Sequence, residues 1–342
     1  MDTHTKMPLG TSFLRYSEGR HNMNIDMRLR NIVANDGTVN FRQIGEGGYS
    51  LVYLATFTTG VKRVIKLSKT SERMMTSDRI LNEVGCLRHI RNNTNIPVPE
   101  VFKYSTEDGY IEMEYVEGDL LPDIWDTYTD DQKHHVLHQI VQIFETLCNM
   151  HGDTIGSIGP DGQYRPTIDP SKYTNGRNDI RGYDPGPYKS VSEYAKAYLK
   201  KEKLYHEHTT PEDEMDQQSF EDKKSALSEL LELSSVQIDD EPIVMCHGDL
   251  HGRNIIMDGV NVCAIIDWEF GGYYPSSVAY DLPELTSGTD TDDDEDWDGV
   301  FRAMLSEKMK KMIFNYNPIV GRCIAIIDTP SSDWSAIDSF HQ

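Results

Sequence analysis

Polar residues of the kinds that do chemistry are concentrated in two short segments of this sequence. The stretch CHGDLHGRNIIMD, residues 246–258, holds two histidines, one arginine and two aspartates around two glycines, and AIIDWEF, residues 264–270, adds Asp267. Both segments adjoin apolar runs of a kind that favours buried strands. Such groups suit one of three roles: polar residues satisfied within the core, a metal site, or a site that transfers a phosphoryl group.

A turn between these segments determines which of their side chains can meet. Residues 257–260, MDGV, predict a turn, so that NIIM and VCAIID can form a hairpin that folds Asp267 back beside Asn254. A carboxylate and an amide oxygen together make a hard oxygen site suited to Mg²⁺. Asp249 is then left to accept a proton from an attacking hydroxyl. A positioned nucleophile, a metal ion and a clamp on the phosphates are nearly all that phosphoryl transfer requires.

Upstream of these segments, a glycine cluster could approach phosphate groups. The stretch IGEGGYSLVYLA places Gly45, Gly47 and Gly48 between two strand-like runs. Backbone that lacks Cβ atoms can come close to a phosphate and offer its N–H groups. A glycine-rich hairpin turn is the more common explanation of such a stretch, so the cluster does not decide the function by itself.

Lys66 and Glu83 follow at positions where they could form a pair. Lys66 lies one strand after the glycine cluster, in RVIKLS, on the opposite face from Ile65 and Leu67. Glu83 lies in TSDRILNEVGCLRHI, where the spacing of the apolar residues predicts a helix. The simpler interpretation leaves both residues as surface charges. In the alternative, pairing fixes the lysine and limits the free-energy cost of desolvating both groups.

A competing hypothesis for the two downstream segments is a hydrolase metal site made by His247, Asp249, His251 and Asp267. It accounts for AIIDWEF but leaves the glycine cluster and the possible lysine–glutamate pair unexplained. His247 is more readily explained as a residue that braces the loop by hydrogen bonding. His251 could brace the loop in the same way or face the substrate.

The elements that must position these residues divide into a β-rich part and a helical part. Residues 1–35 show little periodicity and are expected to form an extension. Residues 36–116 carry the strand patterns and the helix of Glu83, and the strand YIEMEYVEG is expected to end at Gly118. Residues 117–342 are predicted to be mostly helical, with helices in 129–152, 190–203, 219–233 and 297–314. The chain is expected to cross between the two lobes at Glu114–Gly118.

Length, charge and cysteine content restrict the class of protein. A chain of 342 residues is too long for one small core and suits two lobes. The formal net charge of −23, part of it in acid-rich residues 286–299, argues against general nucleic-acid binding and is compatible with a cationic small substrate. The five cysteines form no CxxC pair, which favours reduced thiols and a cytoplasmic location. No apolar run approaches the ~20 residues of a membrane-spanning helix, so no membrane partner is expected.

The order of these motifs resembles that of the aminoglycoside phosphotransferase family, a small-molecule kinase branch of the protein-kinase-like fold. HGDLHGRNII and AIIDWEF carry the resemblance most strongly, and IPVPEV and MEYVEG add to it, over residues 40–285. The resemblance implies a two-lobed α+β fold. It also implies transfer of the γ-phosphoryl group of ATP, or of another nucleoside triphosphate, to a hydroxyl of a small molecule with the help of Mg²⁺.

The resemblance further implies a role for each motif residue. Asp249 would be the catalytic base, and Asn254 and Asp267 would hold Mg²⁺. Lys66 would grip the nucleotide phosphates, and Glu83 would orient Lys66. The glycine loop would cover the phosphates and the crossing segment would meet the adenine through backbone groups, which assigns to the nucleotide Gly45, Gly47, Gly48, Ser50, Val52, Glu114 and Val116.

Several positions depart from the family's pattern. Ser50 stands where GxGxxGxV has its third glycine, and Arg253 replaces a small residue before Asn254. Asp267 stands in Asp-Trp-Glu rather than DFG, and no APE element follows, which argues against a eukaryotic-type protein kinase. The rival hypotheses are a kinase of the same fold that acts on choline, a sugar or a protein, and a nucleotide-binding pseudoenzyme. The acceptor pocket is expected to be built from residues 155–235 and 268–300.

Overall fold

An antiparallel sheet of five strands forms the N-terminal part of the protein. The structure, a computed structural model, describes residues 25–33, 39–69, 76–168, 185–197, 241–276 and 296–314, together with positions 200 and 225. The strands are ordered β1-β2-β3-β5-β4 in the sheet. Their bounds are Val39–Glu46 (β1), Ser50–Phe57 (β2), Lys62–Ser68 (β3), Val101–Ser105 (β4) and Tyr110–Glu114 (β5), and two helices accompany them, Ile25–Ile32 (α1) and Thr76–Asn93 (α2).

The two faces of the sheet are covered by different helices. In β3, alternation places Ile65 and Leu67 on one face, where both are fully buried, and Lys66 on the other. Lys66 is paired in register with Val52 of β2 and Ile111 of β5, so these three residues share a face. Helix α2 packs on that same face through a cluster of buried residues, Ile80, Val84, Ile111 and Met113. The pattern predicted for β3 and α2 is therefore confirmed, and it directs Lys66 toward the helix of Glu83.

Helix α1 covers the opposite face, although the sequence analysis expected only an extension there. Leu29 and Val33, each 2% exposed, join the buried cluster that contains Ile65 and Leu67. The helix is only eight residues long, so its apolar positions are too few to give a clear period by themselves. Its stability comes from tertiary packing on the sheet rather than from helix propensity.

The chain leaves the sheet earlier than predicted. Strand β5 ends at Glu114, not at Gly118. The next strand, Asp119–Leu120 (β6), pairs instead with Ile255–Asp258 (β10) in the second part of the molecule. Gly118 has a φ of +155° and its Cα lies so close to Met257 that a Cβ there would be 2.4 Å from the Met257 carbonyl oxygen. The crossing therefore ends in direct contact with the strand that follows Asn254.

Among the residues that the structure describes, helices and three small sheets make up the second part. The helix predicted near residues 129–152 spans Asp130–Cys148 (α4), begins at a capping box of Thr129 and Gln132, and follows a short helix Leu121–Ile124 (α3). Its predicted apolar face is buried, which confirms Val136, Leu137, Ile140, Val141, Phe144 and Leu147 as core residues. The strands are Ser157–Ile158 (β7), Tyr164–Arg165 (β8), Ile243–Cys246 (β9), Ile255–Asp258 (β10), Asn261–Ile265 (β11) and Gly272–Pro275 (β12).

The predicted hairpin after the HGDLHGRN segment is present. β10 pairs with β11 in antiparallel register, with Ile255 opposite Ile265 at one end and Asp258 opposite Asn261 at the turn. β9 pairs with β12. The segment 297–314, predicted as one helix, contains two, Trp297–Met304 (α5) and Glu307–Phe314 (α6), because the backbone at Leu305 is extended. Residues 191–197 are helical, whereas the helix predicted at 219–233 and most of the acidic stretch lie outside the described residues. Within the residues that the structure describes, no helix is long and apolar enough to cross a membrane.

The packing of α1 leads to a test of whether this helix belongs to the core of the β-rich part. Leu29→Ala is expected to lower the free energy of unfolding by about 2–4 kcal/mol, because it removes buried methyl groups and leaves a cavity. The matched control is Met27→Ala in the same helix, since Met27 is 56% exposed and its loss should change stability little. Urea unfolding of both variants measures the difference. Equal midpoints for the two variants would show that α1 is a dispensable extension.

Candidate active site

The ammonium group of Lys66 lies within reach of three carboxylates contributed by distant parts of the chain. Its Nζ is 2.8 Å from Oε2 of Glu83 and 2.5 Å from Oδ1 of Asp267, and it donates a hydrogen bond to each. Glu269 is a third neighbour, with its Oε2 at 3.9 Å. Oxygens of Glu83, Asp267 and Glu269 lie within 4.8 Å of one another. The predicted pairing of Lys66 with Glu83 is therefore present, and Glu83 is only 3% exposed rather than a surface charge.

Burial and charge act in opposite directions on these groups. Burial alone would lower the pKa of Lys66, but the carboxylates of Asp267, Glu83 and Glu269 together raise it well above its usual value. Burial raises the pKa of the Glu83 and Glu269 carboxyls, and the charge of Lys66 opposes that rise. The lysine is thus held in its charged form, and the negative charge of neighbouring Asp267 adds to burial in raising the pKa of the two glutamates.

Asp267 reaches the cluster through an unusual backbone conformation. It has a φ of +66°, and among the described residues it is the one non-glycine residue with positive φ. Aspartate tolerates this left-handed region better than most side chains. The flanking Trp268 is fully buried and donates from Nε1 to the Ile265 carbonyl oxygen at 3.0 Å, which fixes the turn after β11. The side chain of Asp267 remains 35% exposed, so one side of its carboxylate faces solvent.

The HGDLHGRN segment forms a loop between β9 and β10 that is braced by the buried His247. Its Nε2 lies 2.9 Å from the Ile266 carbonyl oxygen, and its Nδ1 lies 3.2 Å from the backbone nitrogen of Asp249, which donates to it. Burial lowers the pKa of His247 to about 4, so the ring is neutral at physiological pH. Because both ring nitrogens are engaged by backbone groups, His247 braces the loop as predicted and is withdrawn from the alternative hydrolase metal site.

Asn254 and Asp249 are joined to each other and to the Asp267 segment by backbone contacts. Nδ2 of the buried Asn254 donates to the Asp249 carbonyl oxygen at 2.7 Å. The backbone nitrogen of Ile266 donates to the Asn254 carbonyl oxygen at 2.9 Å, which places Asn254 beside the residue before Asp267, as the hairpin predicted. With Nδ2 bound to the loop, Oδ1 is the amide atom that has the chemistry to bind a cation.

Asp249 is held in its ionised form near His251. Their side chains approach to 3.5 Å between His251 Nε2 and Asp249 Oδ2. Burial alone would raise the pKa of Asp249, but the hydrogen bond and charge of His251 outweigh burial and lower the pKa below its usual value. A half-buried carboxylate that stays ionised at neutral pH is able to accept a proton from a nearby hydroxyl.

The predicted glycine loop lies at the turn between β1 and β2. Gly45 is opposite Val52 in the strand register, and the Gly47 N–H donates to the Ser50 carbonyl oxygen at 2.9 Å, which closes the turn. Val52 is in turn the register partner of Lys66 in β3. Ser50 and Lys66 line one cavity that opens to solvent. A Cβ at Gly48 would meet nothing within 4 Å, so this position is open toward solvent.

The crossing residues lie apart from the Lys66 cluster. Glu114 is the register partner of Arg63, three residues before Lys66 in β3. Its backbone nitrogen donates to the Glu100 carbonyl oxygen at 2.8 Å. The Glu114 N–H is therefore already engaged by the protein and is not available to a ligand.

Three residues that the sequence analysis did not assign to the site contact it directly. Glu269 is the third carboxylate near Lys66. Asn82 is fully buried in α2, where its Nδ2 donates to the carbonyl oxygens of Glu269 and Gly271 and its Oδ1 accepts from the Ile158 N–H. Arg79 lines the same cavity as Lys66 and stacks on the aromatic rings of Tyr49 and Phe270. The sequence signal that could have identified Asn82 is its position next to Glu83, where a polar residue lies on the inner face of the predicted helix.

Comparison with known proteins agrees with this geometry. The model of the phosphotransferase enzyme family matches residues 40–312. This chain belongs to that family. The predicted resemblance is therefore confirmed, and the matched range includes every residue of the Lys66 cluster and of the HGDLHGRN loop.

Curated relatives match the family member over limited segments. A subtelomeric hrmA-associated cluster protein of Aspergillus fumigatus is 29% identical over 122 residues, which are 34% of this chain and 24% of that protein. Altered inheritance of mitochondria protein 9 of Debaryomyces hansenii is 27% identical over 112 residues, 31% of this chain and 18% of that protein. The chain thus aligns with about a quarter or less of the length of these relatives.

Solved structures of similar proteins share the fold. The GDP and kanamycin complex of APH(2")-IIia superposes with a TM-score of 0.51 and 12% identity, over 88% of this chain and 89% of that one. A thermostable mutant of aminoglycoside phosphotransferase APH(4)-Ia, in complex with AMP-PNP and hygromycin B, gives a TM-score of 0.50 and 17% identity over 75% of each chain. The predicted two-lobed, protein-kinase-like α+β fold is thereby confirmed.

Because His247 is buried in its neutral form, the free energy of unfolding of this protein is expected to depend on pH. Its pKa is about 4 in the folded chain against an ordinary 6.5, so between these values the unfolded chain binds a proton that the folded chain does not. The free energy of unfolding is therefore expected to fall as the pH drops from 6.5 toward 4. At pH 4.5 this group should account for about 2–3 kcal/mol of the loss.

Removing the imidazole should flatten this dependence. Urea unfolding at pH 7 and pH 4.5 would compare His247→Gln with the wild type and with His138→Gln, a substitution of an exposed histidine in α4. We expect a smaller difference between the two pH values in His247→Gln than in either other protein. The assignment is wrong if all three lose the same stability on acidification.

Proposed function

We propose that this protein is a Mg²⁺-dependent phosphotransferase that moves the γ-phosphoryl group of a nucleoside triphosphate to a hydroxyl group of a small molecule. The observation that carries the proposal is the buried Lys66–Glu83 pair in direct contact with Asp267, beside the loop of Asp249 and Asn254. A lysine with no function on the surface would remain in solvent and would not need three neighbouring carboxylates. The observed cluster fits a lysine that is kept charged, held in one position and placed close to a metal-binding carboxylate.

The nucleotide phosphates would be held by Lys66 and the glycine loop. Glu83 fixes the ammonium group from the α2 side, so that Lys66 can turn from Asp267 to a phosphate without losing its anchor. The backbone of Gly47 and Gly48 and the buried Ser50 lie at the turn beside this lysine. Nitrogen atoms of such a turn can donate to phosphate oxygens. The crossing, at the Glu114 carbonyl and Val116, would meet the base.

Asn254 and Asp267 would hold Mg²⁺, because the residues present fit a hard cation. Their donor atoms are an amide oxygen and a carboxylate oxygen, the Asp267 carboxylate is partly exposed, and the Ile266–Asn254 backbone bond holds the two segments together. When bound, the ion neutralises negative charge on the phosphates. Nearby Glu269 and Glu83 add to the negative potential that attracts a cation to this place.

Asp249 would orient the acceptor hydroxyl and take its proton. Its carboxylate is ionised at neutral pH, half-buried, and steered by His251. Its backbone carbonyl is tied to Asn254, so the base and the proposed metal ligand keep a fixed separation. This arrangement supplies general-base positioning of the nucleophile, which is most of what the protein must contribute to phosphoryl transfer.

The acceptor is proposed to be a small, hydroxylated and cationic molecule. The similar structures contain kanamycin in one protein and hygromycin B in the other, and the strongly acidic chain would attract a cation here as well. They also contain GDP and AMP-PNP, so both ATP and GTP are candidate donors. Residues 155–235 and 268–300 remain the proposed source of the acceptor pocket, within a helical lobe proposed to span 117–342.

The proposal is tested by turnover of ATP and GTP with a panel of hydroxylated metabolites and aminoglycosides, with wild type and Asp249→Asn. The substitution is expected to lower kcat by about 10²–10⁴-fold while nucleotide binding persists, because the base accepts the proton of the hydroxyl in the transition state and does not bind the nucleotide. Asp258→Asn, at the exposed β10–β11 turn, is the control in the same segment. Near-normal kcat in Asp249→Asn with a verified acceptor would exclude this residue as the base.

The Lys66–Glu83 pair is tested by a double-mutant cycle on kcat/KM for the nucleotide. Lys66→Met should remove the phosphate grip, and Glu83→Gln should release the lysine from its anchor. Each is expected to reduce kcat/KM strongly, and the double variant should be little worse than Lys66→Met, because the two residues act as one unit. Small effects that add would show that the pair has only a structural role and would favour a nucleotide-binding pseudoenzyme.

A further inference from the structure

One buried arginine touches both the glycine loop and the segment after Asp267. The guanidinium carbon of Arg79 lies 3.4 Å from the centre of the Tyr49 ring and 5.2 Å from the centre of the Phe270 ring. The two rings meet each other edge to face at 6.5 Å. Arg79 is only 5% exposed, although arginine is rarely buried to this extent without a specific partner. We call this set the Arg79 stack: Tyr49, Arg79 and Phe270.

The stack connects the three elements of the proposed site. Tyr49 lies in the turn between Gly48 and Ser50, Arg79 lies one helical turn before Glu83 in α2, and Phe270 lies three residues after Asp267. Two of these elements are also fixed to each other in another way. Asn82 of α2 holds the backbone on both sides of Phe270, through the Glu269 and Gly271 carbonyls.

The stack is the contact that ties the glycine loop to α2, whereas a hydrogen bond from the Lys69 N–H to the Tyr49 carbonyl oxygen at 2.9 Å ties the loop to the end of β3. Within the loop, the turn is closed by the single Gly47–Ser50 backbone bond, and the ring of Tyr49 provides its contact with α2. A planar guanidinium can lie flat on one ring while its edge meets another, which a lysine ammonium cannot do. An alternative role for Arg79 is only to balance the negative charge of nearby Glu269, and that role would not need Tyr49.

We infer that Arg79 is a positioning residue, which holds the glycine loop over the nucleotide site in register with the Lys66–Glu83 pair and the Asp267 segment. The inference rests on the proposed function. A loop that is already closed loses less conformational entropy when the phosphates bind, so the stack should strengthen nucleotide binding. Arg79 and Lys66 are both cations and do not pair with each other, so the inferred effect of Arg79 on the loop is exerted through Tyr49 and Phe270.

The experiment measures the affinity of the full chain for the fluorescent nucleotide MANT-ATP with Mg²⁺. Tyr49→Leu removes the ring while leaving Arg79 and Glu269 in place, and Arg79→Met removes the cation. Each is expected to weaken binding about 3- to 30-fold, the range of one cation–π contact, and the double variant should be no weaker than the worse single variant. Tyr49→Phe, which keeps the ring, should recover most of the affinity lost in Tyr49→Leu.

A matched control lies on the same helix. Arg88 of α2 stacks on Tyr104 of β4 at 5.5 Å, outside the nucleotide site, so Arg88→Met removes a similar contact without touching the glycine loop. Its affinity should equal that of wild type. Hydrogen exchange in the absence of nucleotide gives a second readout: peptides covering residues 44–54 should exchange faster in Arg79→Met and Tyr49→Leu, but not in Arg88→Met.

The outcomes separate this inference from the proposed function. If wild type binds Mg²⁺ and MANT-ATP, Lys66→Met does not, and Tyr49→Leu binds like wild type, the function stands and the positioning role of Arg79 is wrong. The role is also wrong if loss of affinity occurs in Arg79→Met alone, since this indicates charge balance with Glu269. If wild type binds no nucleotide, the proposed function fails, and unchanged exchange of residues 44–54 in both variants would overturn the stack as well.

Discussion

A single buried ammonium group, that of Lys66, sets the relative position of the elements that form the site. Burying a charge is unfavourable unless partners compensate it, so a lysine on the inner face of β3 requires acids at hydrogen-bond distance. Glu83 provides one from α2, and Asp267 provides another from the segment after β11. The sheet, the helix and the hairpin of the second lobe must therefore meet at one point, and a shift in any of them would leave a charge unpaired.

Neutral contacts make this meeting possible, because ion pairs specify a geometry better than they stabilise it. Asn82 uses both amide hydrogens and its oxygen on backbone groups of the second lobe, so α2 is docked there without any net charge. His247 likewise holds the loop before β10 in place without a net charge, because its ring is hydrogen-bonded to the backbone at Asp249 and at Ile266. Asn82 and His247 are thus satisfied by main-chain partners, which leaves the carboxylates to face the lysine and the solvent side.

The sequence predicted the parts of this arrangement that depend on local pattern. Alternation placed Lys66 opposite Ile65 and Leu67, and the turn at residues 257–260 brought the Asp267 segment back beside Asn254, both as observed. Periodicity could offer the Lys66–Glu83 contact only as one of two alternatives, since the residues are joined by tertiary packing. Helix α1, the partners of Asn82 and the stacking of Arg79 could not be predicted, because each depends on surfaces assembled from segments far apart in the chain.

The charge of the cluster indicates why the proposed metal would bind here and not at the histidines. One ammonium faces the carboxylates of Glu83, Asp267 and Glu269, and the pKa of the two glutamates is raised first by burial and further by the charge of neighbouring carboxylates, while Arg79 opposes the rise at Glu269. A divalent cation held by Asp267 and Asn254 would offset the negative charge of these carboxylates. His247, by contrast, has both ring nitrogens bound to backbone groups. The same contacts that make a hydrolase centre at the histidines unfavourable therefore fix the loop that carries Asp249 and Asn254, the residues proposed to act in phosphoryl transfer.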